Sequence, residues 1–216
     1  MGYLADYVEK IDSTDIHSSL NHKKTFVKDA ISDLPSPIDQ VKDINNYGWA
    51  KYPDIKKSIL SDYAKKMRAP APEGLGWVTS KNNIKNKIIS GNFATLHTKA
   101  VIERYSKVEQ GQVDDISRFL RLDWNGLCPT LRAGTGSDKG SFQAARPIHP
   151  EEPRVITVRE AARLQGFPDW FSFHHTKWHS FRMIGNSVSP IVSEFILSMI
   201  KNKISLCDYR SKFSLK

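Results

Sequence analysis

The chain has 216 residues, long enough to bury a core in one domain or a domain plus an appendage, and a formal net charge of +9. Its two distant cysteines, Cys128 and Cys207, exclude a disulfide framework and thiolate zinc spacing. No apolar run approaches the roughly 20 residues that span a bilayer, residues 1–6 lack the marks of a signal peptide, and Asp6 argues against myristoylation of Gly2, so a reducing cytoplasm is expected. The charge is uneven: residues 51–110 hold twelve Lys or Arg against five Asp or Glu, and residues 1–50 hold five against eight. A basic middle suits a polyanion partner or a solvated lysine-rich face.

In chain order, residues 1–24 are expected to form loop and strand at a domain edge. Residues 25–34 predict a short helix, N-capped by Thr25 and ended before Pro35, with Ser36-Pro37 as a hinge turn. Residues 40–66 carry helical spacing at Ile55, Ile59 and Tyr63, and residues 69–76 are a loop rich in Pro and Gly. Past Ile84 come short segments, Ile88-Ile89 and residues 93–96. Residues 119–124 alternate in part and meet the turn signal Asn125-Gly126, so with residues 128–133 they predict a hairpin. Thr157 and Glu160 form a capping box, Gly166 suits a left-handed C-terminal position, and Pro168 stops the helix between. Arg159 and Arg163 share one face of that helix. Ser189 can N-cap a last helix with Pro190 in first position, and its stripe of Ile191, Val192, Phe195, Ile196, Met199 and Ile200 needs a partner surface.

Three clusters invite chemical readings. Residues 134–140 are glycine-rich, but their spacing is one residue too long for a dinucleotide loop and no helical pattern follows. His174, His175 and His179 surround Trp178 without the Glu or Cys that would complete a metal site, so a structural linker is expected. Trp77, Trp124 and Tyr105 could stack on bases, but core packing is the default for aromatics at such spacing.

The wording of four segments is more specific than their spacing. Thr157-Val158-Arg159-Glu160-Ala161-Ala162-Arg163-Leu164-Gln165-Gly166-Phe167-Pro168-Asp169 resembles the ninth motif of the DNA cytosine-5 methyltransferases. Ile184-Gly185-Asn186-Ser187-Val188-Ser189-Pro190 resembles the tenth, with Ser189 where proline is common. Residues 25–35 resemble the segment after the eighth motif, and Pro129-Thr130-Leu131 the Thr-Leu step of the target-recognition domain. The family's glycine-rich cofactor turn, its Pro-Cys nucleophile and its Glu-Asn-Val segment have no match; Cys128 precedes Pro129 rather than following a proline, and Cys207 sits in a polar tail.

The resemblance implies the α/β fold of S-adenosylmethionine-dependent methyltransferases, incomplete here. Residues 1–36 would be the edge of the catalytic domain, 37–183 a mixed α+β target-recognition domain including the ninth motif, and 184–216 the tenth motif with a C-terminal helix completing the catalytic domain. Gly185 would make a tight turn, and Asn186 and Ser187 would help enclose S-adenosylmethionine. Thr130, Leu131, Arg132, Ser137, Asp138, Lys139 and Gln143 would contact DNA bases or phosphates, and Lys81, Lys85 and Lys87 would supply a basic patch. Arg154, Arg159 and Arg163 would mainly anchor the recognition region, with phosphate contact as a second possibility. No catalytic residue and no metal ligand is expected in this chain. The implied role is DNA recognition and cofactor-pocket completion in a restriction-modification methyltransferase of the bacterial cytoplasm and nucleoid, with a complementary N-terminal half as partner, either as a subunit of a split enzyme or as a fragment. The alternative is a non-enzymatic, sequence-specific DNA-binding module.

Overall fold

A computed structural model describes residues 24–134 and 146–206, with backbone alone for 203–206. The described residues fall into two compact units, Thr25–Ser187 and a second from Val188 onward. The divisions expected at 36/37 and 183/184 fall inside the first of these.

The first unit opens with α1 (Val27–Ile31), shorter than the expected 25–34 and without Thr25 as its cap. Asp29 reaches back to accept the Phe26 N–H at 3.0 Å. The next two N–H groups donate to Gly126 and Trp124 carbonyls, both at 3.0 Å. Helix-start donors must find acceptors, and a distant turn supplies them here. That turn is the expected one at Asn125-Gly126: Gly126 N–H donates to Asp123 O at 3.0 Å and Asn125 N–H to Asp123 Oδ1 at 2.9 Å.

After β1 (Ala50–Lys51), the helical spacing at Ile55, Ile59 and Tyr63 does not make one helix. A 3-10 turn at Lys57–Ile59 is followed by α2 (Asp62–Met67), which Ser61 caps by accepting from Ala64 N–H at 2.9 Å. The cap breaks the register, leaving Ile59 exposed while Leu60, Ala64 and Met67 are buried. Next come α3 (Val78–Lys85) and β2 (Ile88–Ile89), which pairs antiparallel with β1 as Ala50↔Ile89 and Lys51↔Ile88. Helix α4 (Lys99–Ser106) follows.

Residues 119–124 and 128–133 do not form the expected hairpin. Leu120 instead bridges Val113, Arg121 bridges Ile148, and Ile148 in turn bridges Val155. Arg121 and Leu122 are both buried, so the partial alternation in the sequence does not correspond to one buried face, and it could not name the pairing partner.

Helices α5 (Val158–Gln165) and α6 (Lys177–Asn186) complete this unit. Its main core joins Val27, Ala30 and Ile31 of α1, Leu122, Leu131, the α5 face Val158, Ala161 and Ala162, and Phe181 and Ile184 of α6. Tyr105, Ile148 and Val155 form a smaller cluster. In the second unit α7 runs Pro190–Leu206, with Pro190 in first position as expected. Of the stripe, Val192 is exposed and the other residues are half-buried, and Leu197 outside it is exposed as well. Against expectation, Lys177–Asn202 is long and apolar enough by composition to cross a membrane, with mean hydropathy 1.4. It divides, however, into α6 and α7 around residues 187–189, and Phe181 and Ile184 are spent on the protein core.

Candidate functional site

Helix α5 is defined by local chemistry at both ends. Thr157 N–H donates to Glu160 Oε2 at 2.6 Å and Glu160 N–H to Thr157 Oγ1 at 3.2 Å, the reciprocal capping box. Gly166 sits at φ 92°, and Phe167 N–H closes back on Ala162 O at 2.9 Å.

The helix carries two guanidinium groups into the interior. Arg163, with no exposure, forks onto Asp169 through Nε (2.6 Å) and Nη2 (2.7 Å). Its Nη1 also donates to Asp33 Oδ1 at 3.0 Å and Ala30 O at 2.9 Å. Arg68 donates to the same Asp33 at 2.7 Å, and the Tyr52 hydroxyl donates to Asp169. Arg159 lies 3.7 Å from Asp169 and donates to Ser90 O and Phe171 O, each at 2.8 Å. Burial by itself would raise the Asp169 carboxyl, but the Arg163 charge and hydrogen bonds, with Arg159, outweigh it and hold it below the usual carboxylate range. Burial pushes the Tyr52 hydroxyl well up, and the Asp169 charge adds to that. Such a network is costly to open, because removing one partner strands a buried charge.

Arg154 grips Glu160 with both terminal nitrogens at 2.9 Å and Glu152 at 3.0 Å. His149 lies 3.7 Å from the same Glu160, yet burial lowers its pKa despite that carboxylate. All three motif arginines therefore have their charges engaged inside the fold and tie segments near residues 30, 68, 90 and 169 to α5.

That scaffold presents the Thr-Leu step. Leu131 is buried in the core while Thr130 and Arg132 on either side are exposed. Immediately behind them runs α6, and Gly185 lies within that helix rather than in the expected tight turn. A Cβ at Gly185 would stand 2.3 Å from Ala133 N and 2.6 Å from Arg132 C, so glycine is required for the helix to touch the backbone of residues 132–133. Asn186, one residue on, is exposed, and its side chain has no hydrogen-bond partner among the described residues. Ser187 ends the helix: its Oγ donates to Ile184 O at 2.7 Å, and its carbonyl accepts from Gln165 Nε2 of α5 at 3.0 Å. Helix α5 thus holds the tenth-motif segment directly.

Lys81 and Lys85 lie on α3, four residues apart. Lys85 and Lys87 line a surface recess with Lys51, Tyr52 and Asp54. Lys81 is half-buried and is not among the residues that line it. Ser137, Asp138, Lys139 and Gln143, like Cys207, lie outside the described residues. Burial pushes the Cys128 thiol up to about 12, and its Sγ donates to Pro129 O at 3.2 Å, the setting of an inert cysteine.

A family model described as C-5 cytosine-specific DNA methylase matches residues 3–202. The chain belongs to that family. It is 42% identical over 173 residues to the type II methyltransferase M.XorII of Xanthomonas oryzae pv. oryzae, covering 80% of this chain and 40% of that protein. Over 188 residues it is 30% identical to DNA (cytosine-5)-methyltransferase 4 of Arabidopsis thaliana, covering 76% of this chain and 11% of that protein. Among solved structures it resembles a DNA modification methyltransferase encoded within an E. coli prophage, with a TM-score of 0.70 and 49% identity over 83% of this chain and 47% of that one. The chain therefore spans less than half the length of these relatives.

Sequence reasoning passed over two features of this chain. Arg121 is buried and donates to four backbone carbonyls, those of Tyr105, Val108, Pro150 and Glu151, at 2.7–3.0 Å. The only sequence signal was a cation inside an apolar run, Phe-Leu-Arg-Leu. Trp77, Tyr47 and the histidines at 174, 175 and 179 also gather on one surface, which their sequence spacing does not foretell. Of the other flagged aromatics, Tyr105 is buried and Trp124 packs edge-on to His149 at 5.4 Å.

Proposed function

We propose that this chain is the target-recognition and C-terminal part of a type II restriction-modification DNA (cytosine-5-)-methyltransferase, which methylates C5 of cytosine in a specific duplex sequence. Its setting would be the bacterial cytoplasm, at the nucleoid. The observation that carries this reading is the Gly185 contact, where the tenth-motif helix touches the backbone of the Thr130-Leu131-Arg132 segment. Through it, a displacement of the DNA-facing residues is felt one residue from Asn186. Thr130 and Arg132 would meet the duplex with Leu131 as their anchor in the core, and Ser137, Asp138, Lys139 and Gln143 would extend that contact along the following loop. Lys81, Lys85 and Lys87 would meet phosphates and contribute no sequence information.

S-adenosylmethionine supplies an electrophilic methyl group when bound. The Asn186 amide, with a donor and an acceptor both available, fits the rim of a polar cofactor site. Ser187 keeps the lone pairs of its hydroxyl for the same rim while its backbone is held by Gln165. A complementary N-terminal half would bring the cysteine that attacks C6 of cytosine, the glutamate at N3 and most of the cofactor pocket. In this division residues 1–36 edge the catalytic domain, 37–183 recognise the target, and 184–216 return to the catalytic domain. The test is co-expression with a candidate half carrying a Pro-Cys motif, followed by transfer of labelled methyl from S-adenosylmethionine to DNA. Transfer is expected from the pair and not from this chain alone. Turnover by the purified chain without the other half would refute the assignment.

A further inference from the structure

A continuous run of planar side chains crosses the surface of the first unit. Trp77 meets Tyr47 at 5.1 Å between ring centroids, and Tyr47 meets His175 at 6.3 Å. His175 meets His174 at 4.1 Å, and His174 meets His179 at 4.6 Å. His179 meets Trp178 at 4.6 Å, and the Arg182 guanidinium lies 5.3 Å from the Trp178 ring. Core aromatics would be hidden, but Trp77 is 45% exposed, Trp178 is 42% exposed, and His174, His179 and Arg182 are exposed as well. His174 Nδ1 accepts from Thr176 N–H at 3.1 Å, and among the described residues no three His, Cys, Asp or Glu side chains gather as a metal-holding group. The run contains no carboxylate, and the exposed Arg182 makes no ion pair among the described residues, while the half-buried Lys177 donates its Nζ to Ala94 O at 2.6 Å.

Rings in file, exposed at both ends and with the Arg182 guanidinium beside Trp178, match the needs of unpaired nucleotides: a face for each base and a charge for the backbone. We propose that this aromatic track binds single-stranded DNA by base stacking, at a site separate from the Thr130–Arg132 duplex contact. The proposal rests on the DNA-binding reading above for its ligand class. A regular duplex hides its base faces, so the track would engage only DNA whose stacking is already broken.

The experiment uses the full chain, a fluorescein-labelled 20-nucleotide oligothymidylate and a duplex of equal length. Oligothymidylate is expected to bind and to quench tryptophan emission. Trp77→Ala and Trp178→Ala should each weaken it about fivefold or more, Trp178→Phe should retain most of the affinity, and duplex affinity should stay within about twofold. Both tryptophans are nearly half exposed, and circular dichroism verifies that the variants fold. Single-strand affinity indifferent to both alanine variants overturns the proposal, as does parallel loss of duplex binding. Duplex binding with no oligothymidylate binding overturns the track while leaving the proposed function standing, and failure to bind either DNA removes both. Displacement of oligothymidylate by the complementary half, with Trp178 becoming buried, would make that half the occupant and overturn the proposal too.

Discussion

Replacing Gly185 with alanine sets two well-characterised effects against each other, and the structure says which wins. Gly185 lies inside α6, where alanine normally gains about 1 kcal/mol over glycine. At this position the new Cβ would come within 2.3 Å of Ala133 N, 2.6 Å of Arg132 C and 2.7 Å of Ala133 Cα. All three are backbone atoms, in a segment that Leu131 pins to the core, so no flexible side chain can swing aside. Forcing atoms into packed space costs about 1–3 kcal/mol, and more where backbone must move, which outweighs the helical gain. With the cost at its upper end and about 1 kcal/mol returned by the helix, the net is about 2 kcal/mol, so at about 2–4 °C per kcal/mol for a chain of this size Tm should fall by roughly 4–8 °C. Thermal and urea denaturation of the full chain, followed by circular dichroism, measures this. A second substitution, Ala133→Gly, should not rescue the first, because the clashing atoms remain. A Gly185→Ala variant as stable as the parent, or more so, would refute the close approach and with it the coupling of the tenth motif to the Thr-Leu step.

Three further outcomes are expected. Asp169→Asn leaves Arg163 and Arg159 without their shared carboxylate and should cost about 3–5 kcal/mol near neutral pH. Because the folded Asp169 pKa is depressed, its contribution is full above the unfolded value of about 3.9 and disappears as pH falls through the lower folded value, so urea midpoints of the variant should decline less on acidification; parallel profiles would contradict this. Neutralising Lys81, Lys85 and Lys87 to glutamine should weaken binding to all duplexes alike and flatten the slope of log affinity against log salt by up to about 0.9 per lost phosphate contact, whereas an unchanged slope would make them solvated surface. Cys128, with its thiol raised to about 12 by burial, should resist Ellman's reagent at pH 8 in a Cys207→Ser background until the chain is unfolded, and rapid labelling of the native protein would contradict that burial.

How far the sequence disclosed this molecule depended on how far apart the interacting groups lie. The ends of α5 were legible because a capping box and a left-handed glycine act within a few residues. The shared face of Arg159 and Arg163 followed from helical spacing, but their acceptors did not: Asp33 is 130 residues from Arg163, and Ser90 is 69 from Arg159. The expected hairpin failed for the same reason. Arg121 and Leu122 are both buried, against simple alternation, and the backbone partners of residues 120–122 come from residues 111–113 and 148.

Gly185 and the aromatic track show what local patterns conceal at the candidate site itself. A glycine beside Asn and Ser carries the composition of a turn, and only the fold reveals that its missing side chain makes room for another segment's backbone. The histidine group and Trp77 read separately as linker and core, since ring contacts between residues 47, 77 and 175 have no sequence periodicity. Motif wording could identify the family because it records which residues such long-range contacts permit. The physical work those residues perform becomes visible only where the segments meet: Arg163 holds Asp33 and Asp169 together, Leu131 anchors the exposed Thr130 and Arg132, and Gly185 lets the segment carrying Asn186 approach them.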